Sequence, residues 1–290
     1  MAGTLILGVL VLFLLLGGNA FARGVCSGTG VYVEGEAFGN CTDTRSILQP
    51  PSAAHPFGTD SVGRDILARI IYGGQISLAI GVFSALVAVG LGALVGLVTG
   101  YYRGLVDSSL MRFTEAMLSI PPLFLLLVAA KFLGGKVGQF ALYGRTFDGS
   151  VVVIILVIGL TSWMTSARVV RATTLSLKER DYVLAAHTLG ASHRRIIFRH
   201  ILPNTTAPII VAVTLAVGGA ILMEAYISFL GLGVRAPTAS WGSMLEGSYR
   251  YLEQAPWLWL FPGFFVLLTL LSINFVGDGL RDALEPTHQG

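Results

Sequence analysis

Apolar residues gather in six long blocks, from about Thr4 to Ala22, Gly73 to Tyr101, Phe113 to Leu133, Ser150 to Ser166, Thr206 to Leu230 and Trp257 to Val276. A helix of about 20 residues, rising about 1.5 Å per residue, crosses a hydrocarbon core of about 30 Å, so this pattern predicts membrane-spanning helices. Polar stretches separate them: residues 23 to 72, a short turn after Tyr101, residues 134 to 149, a charged segment leading to Pro203, residues 231 to 256, and a tail from Gly277. The expected fold is therefore an all-α membrane protein with six transmembrane helices. Residues 1–72 hold the first helix and an external polar loop, and residues 73–290 form a five-helix core with a loop at 167–205.

Local signals refine the picture. Gly81, Gly90, Gly92, Gly96 and Gly100 recur along the second block, where missing side chains let helix backbones approach closely in lipid. Pro121-Pro122 must kink the third block or break its first turn. Asp60 or Ser61 is expected to cap an amphipathic helix through Ile66, Leu67, Ile70 and Ile71, lying on the outer surface before the second span. Asp107 is the expected cap before the third, and Lys131 should snorkel from that helix's outer end. The end of the first block, Ala20-Phe-Ala22, also resembles a signal-peptidase site. The basic residues that would precede such a signal are missing, and its loss would place the two chain ends on opposite sides of the membrane, so the helix is read as retained.

With 54% hydrophobic and 12% charged residues among 290, composition excludes an ordinary soluble domain. Placement of charge matters more than the net +3. Seven Lys or Arg lie between Arg168 and Arg199, against two in each of the stretches 134–149 and 231–256. By the positive-inside rule the central loop is cytoplasmic, and with six spans both termini are too. Gly135-Lys136 is followed by Val137 and no phosphate-binding G-x-x-x-x-G-K-S/T loop occurs, so any ATP that drives this protein is hydrolysed by another chain.

No paired carboxylates, metal-ligand spacing or Ser-His-Asp arrangement is legible, and no metal is expected. His187 and His193, six residues apart across a turn, read as part of a solvated face. Glu224, acidic inside a span, is the pathway candidate, with a structural hydrogen bond to a neighbouring helix as the alternative. Cys26 and Cys41 share one external loop. A disulfide there would contribute about 3 kcal/mol in the chain-entropy model, and two free thiols are the alternative.

The charged loop carries the strongest signal. Tyr182, Ala185, Ala186 and Leu189 recur at helical spacing on one small apolar face, Gly190 suits the left-handed residue after a helix end, and Ser192 can cap a second helix ending near Pro203. Ala185-Ala186, then Gly190, then Leu202-Pro203 resembles the "EAA" loop of permease subunits in ATP-binding-cassette importers, with Leu184 where that family has Glu. The run Gly58-Thr-Asp60-Ser-Val-Gly-Arg-Asp65 and the segment from Gly231 to Met244 are similar to dipeptide, oligopeptide and nickel permeases. A DNA-reading helix-turn-helix shares some of these residue types, but this hairpin is tethered between apolar spans.

The resemblance implies a type I importer permease of the cytoplasmic membrane, not an enzyme, whose coupling hairpin (Tyr182, Ala185, Ala186, Leu189, Gly190, Pro203) docks on an ATPase. It implies as partners a second, homologous permease subunit, two ATP-binding subunits that bind ATP and Mg, and an extracellular substrate-binding protein, with no nucleic acid. Peptides are the implied cargo. Nickel import, and a secondary transporter or channel coupled through Glu224, are the alternatives.

Overall fold

A computed structural model describes residues 2–20, 42–43, 45–133, 136–142, 145–236 and 238–284. Helix α1 spans Ala2–Ala20 and α2 spans Ile66–Tyr102. Next come α3 (Gly104–Ser119) and α4 (Pro122–Leu133), with a 90° bend across Ile120 and Pro121. Pro121-Pro122 thus breaks the third span outright, because neither residue can donate an intrahelical hydrogen bond. Helices α5 (Ser150–Thr161) and α6 (Trp163–Lys178) are bent by 42° at Ser162. The remainder is α7 (Asp181–Thr188), α8 (His193–Ile196), α9 (Thr206–Phe229), the short α10 (Trp241–Leu245) and α11 (Trp257–Leu284). Among the described residues, three helical stretches are long and apolar enough to cross a membrane alone, and the two bent pairs make five. Helix α1, apolar over Gly3–Gly17, is shorter. It packs Leu10 and Leu14 against Trp241 and Val266.

A two-stranded antiparallel ribbon, β1 (Phe140–Leu142) and β2 (Arg145–Phe147), adds a small sheet to the otherwise helical chain, with Phe140 stacked on Phe147.

Helix α2 is the axis of the bundle. Its 37 residues amount to about 55 Å, well beyond a hydrocarbon core of about 30 Å. No separate interfacial helix precedes it: the expected amphipathic turn at Ile66 is its first turn, and the expected division after residue 72 falls inside it. The cap is Asp65, whose carboxylate accepts from Ala68 N at 2.8 Å and meets His55 Nδ1 at 2.9 Å. Asp60, the expected cap, instead organises the preceding turn, accepting from the backbone of Val62 and Arg64 and from Arg64 Nε at 2.6 Å.

The glycines of α2 do hold a close seam. A Cβ at Gly92, Gly96 or Gly100 would meet α6 atoms at 2.6 Å, a backbone carbonyl oxygen in the first two cases. Gly90, in the same string, faces open space. Helix α6 therefore continues past the expected span end at Ser166, because Ala167, Val170 and Thr174 form a buried stripe on this seam while Arg168 and Lys178 lie off it. Asp107 lies in the first turn of α3 rather than before it, and grips Arg171 of α6 through two 2.6 Å bonds.

Candidate functional site

The hairpin from Asp181 to Ile201 is built by local chemistry. Helix α7 ends in a Schellman turn: Gly190, at φ +79°, donates to His187 O, and Ala191 N donates to Ala186 O. Ser192 then caps α8, accepting from Arg195 N at 3.4 Å. The second helix does not end near Pro203. It loosens into a π turn over Ile197–Ile201, tightens into a 3-10 turn over Leu202–Thr205 and runs on as α9. This irregular segment absorbs the N–H that Pro203 lacks.

The two faces of the hairpin differ. Val183, 3% exposed, joins Ile196, Ile197 and Ile201 in a cluster with Leu97 and Tyr101 of α2 and Val170 of α6. Tyr101 OH lies 2.7 Å from His193 Nδ1, and Lys178 Nζ donates to Tyr101 O at 2.6 Å, so the ends of α2 and α6 and the hairpin are clasped together. On the other side Tyr182 is 43% and Leu189 87% exposed, Ala185 is exposed and Ala186 half-buried. The structure thus brings Tyr182, Ala185, Ala186, Leu189 and Gly190 together at one exposed corner, with Pro203 set apart from them beyond the π turn. The His187 and His193 rings are 6.2 Å apart, and among the described residues no three metal-binding side chains converge.

Glu224 occupies the other end. It is fully buried on α9 and faces protein rather than lipid. Its carboxylate accepts from Ser228 Oγ and Ser240 Oγ, each at 2.6 Å, and from Ser77 Oγ at 3.2 Å. Each serine in turn accepts a backbone N–H: Val234 on Ser228, Ser243 on Ser240, and Trp241 on Ser77. Trp241, itself fully buried, donates its indole N–H to Ile70 O at 3.0 Å. One carboxylate therefore ties α2, α9 and the inserted α10 together. Ser228, four residues after Glu224, could have been found as a helical neighbour. Ser77, Ser240 and Trp241 carried no local signal. Cys26 and Cys41, with the proposed disulfide, lie outside the described residues.

A family model described as "Binding-protein-dependent transport system inner membrane component" matches residues 92–288. The chain is 42% identical over 245 residues to the dipeptide transport system permease protein DppC of Alkalihalophilus pseudofirmus, covering 84% of this chain and 76% of that one. It is also 42% identical over 232 residues to the oligopeptide transport system permease protein OppC of Haemophilus influenzae, covering 80% and 70%. Among solved structures, the MetNI methionine ABC transporter in an inward facing conformation shares the fold, with a TM-score of 0.56 at 17% identity over 74% of this chain and 95% of that one.

Proposed function

Because the chain belongs to the family of binding-protein-dependent transport system inner membrane components, we propose that it is the permease subunit of an ATP-driven importer that moves di- or oligopeptides across the cytoplasmic membrane. The exposed apolar corner of the hairpin carries this reading. Tyr182, Ala185 and Leu189 face outward while Val183 anchors the same helix to the bundle, an arrangement that suits a rigid knob entering a groove on another protein. The partner there is an ATPase subunit, one of two that bind ATP and Mg. A second permease subunit completes the passage and an external binding protein delivers the peptide, the latter supported by the binding-protein dependence in the family's description and the peptide cargo by the relatives' names. The seven basic residues between Arg168 and Arg199 orient the hairpin and both termini toward the cytoplasm. Closure of the ATPase pair moves the docked hairpin, and the clasp at Tyr101 carries that movement into α2 and α6.

Uptake of a labelled dipeptide into proteoliposomes holding the whole complex tests the proposal. The expected uptake requires ATP and stops with vanadate. Uptake that follows an ion gradient without ATP would instead establish a secondary transporter, with Glu224 as the group to examine.

A further inference from the structure

At the start of α2, the opposite end from the hairpin, the turn before Ile66 and the segment from Ser243 to Tyr251 enclose a cavity of about 190 Å³. Asp60, Arg64 and Arg69 line it from one side, and Glu246 and Arg250 from the other. Three guanidiniums therefore meet two carboxylates among the lining residues. The imbalance is sharpest away from water. The side chains of Asp60 and Arg69 are 11% and 8% exposed, and that of Arg64 is 26% exposed. Asp60 already accepts two backbone N–H bonds and a third from Arg64 Nε at 2.6 Å, whereas Arg69 Nε lies 3.9 Å from that same oxygen. One carboxylate thus serves two cations largely withdrawn from water. A second carboxylate would relieve this, because buried charge is costly unless it is paired.

The rest of the lining narrows the ligand. Ile66, Met244 and Leu258 give the cavity an apolar side, which a bare inorganic anion could not use. A cavity of about 190 Å³ falls below the roughly 300 Å³ at which small-molecule pockets begin, so it admits the end of a peptide rather than a whole one. The net positive lining disfavours a divalent cation. Guanidinium N–H donors, by contrast, match the two oxygens of a carboxylate. The wall is also continuous with the Glu224 network, since Ser243 N donates to Ser240 Oγ and Ser240 Oγ donates to Glu224. A ligand seated here touches α10, the segment that Glu224 ties into the bundle.

We propose that this cavity is a carboxylate-binding site, in which Arg69 and Arg64 hold the C-terminal carboxylate of the incoming peptide and Arg250 draws it in from the rim. The apolar side receives the last side chain of the peptide. The proposal rests on the peptide-import reading and adds to it the group of the cargo that is read and the residues that read it.

The test uses the purified complex of permease and ATPase subunits, without the external binding protein. An arginine-directed glyoxal should modify Arg64 and Arg250, as located by peptide mass spectrometry. Trialanine should slow both reactions, and trialaninamide, which lacks the carboxylate, should not. Arg194, exposed on the hairpin, is the control and should react at one rate throughout. Arg69→Gln should raise the half-protecting concentration of trialanine about tenfold or more, the effect of losing one charge-assisted bond. Arg250→Gln, at an exposed position where folding is not at stake, should raise it about threefold. Equal protection by trialanine and its amide, or protection by neither, would overturn the site and leave peptide import to its own uptake assay. Stronger protection by N-acetylglutamic acid α-amide, whose one carboxylate is on a side chain, would give the site to an acidic residue of a docking protein and overturn the cargo assignment. A complex that takes up no peptide, yet is protected by trialanine and not by its amide, would refute the import reading and keep the carboxylate site.

Discussion

The two ends of the bundle are finished in opposite ways. Around Glu224, every named donor finds its acceptor inside the chain, and three serines pass backbone N–H bonds to one buried carboxylate. At the hairpin, apolar packing anchors one face and leaves the other open, with Leu189 87% exposed. A closed polar network fixes one arrangement of α2, α9 and α10, because any shift strands buried groups. An anchored knob with an open face keeps its shape and waits for a surface. The contrast implies that damage at the Glu224 end shows first as lost folding, and damage at the hairpin corner as lost partnership.

The sharpest way to break this comparison is Glu224→Ala, which strands three buried hydroxyls and is expected to destabilise the isolated chain by about 3 kcal/mol or more, read as a lower unfolding midpoint in detergent. Glu224→Gln preserves an acceptor and should leave assembly intact. An altered uptake or ATPase rate in that variant would support Glu224 as a pathway group, and unchanged rates would leave it a structural tie.

Next come Ala186→Trp and Gly190→Val. The first would overfill the proposed contact with the ATPase subunit and the second forces a β-branched residue to φ +79°, each costing about 1 to 3 kcal/mol. Both proteins should insert normally, yet lose the ATPase subunits on purification or hydrolyse ATP without uptake. Full stoichiometry and full transport in both would refute the hairpin as the coupling element. Tyr101→Phe removes only the bond to His193, worth about 1 kcal/mol, and should weaken coupling while the ATPase subunits stay bound. Smallest is Arg194→Ala, on the solvent side of α8, where the change should stay within about 0.5 kcal/mol and transport should match wild type.

Several features encoded within a few residues were legible in the sequence, though the helix caps expected at Asp60 or Ser61 and at Asp107 were not where local rules put them. The turn at Gly190, the cap at Ser192 and the break at Pro121-Pro122 depend on local backbone rules, and each stands where those rules put it. Continuity was harder to read. Hydropathy falls after Ser166, yet the buried stripe of Ala167, Val170 and Thr174 keeps α6 intact, and Pro203 ends nothing because a π turn and a 3-10 turn carry the chain past it. Long-range pairing was not legible at all. Glu224 was expected to avoid lipid, but its partner Ser77 lies 147 residues away in sequence and only the folded bundle brings the two together. The glycines of α2 announced a close contact without naming α6 as the neighbour.

Helix α2 touches both ends at once. Near its start Ile70 O receives the indole of Trp241, and at its finish Tyr101 meets His193, roughly 46 Å away along the axis at 1.5 Å per residue. One unbroken helix thus joins the two contacts. A tilt of about five degrees about one tip displaces the other by about 4 Å, a movement on the scale of known helix shifts. A small rotation of α2 at the inserted segment near Trp241 would therefore reach the hairpin at His193 enlarged to several ångströms, as long as α2 stays unbroken.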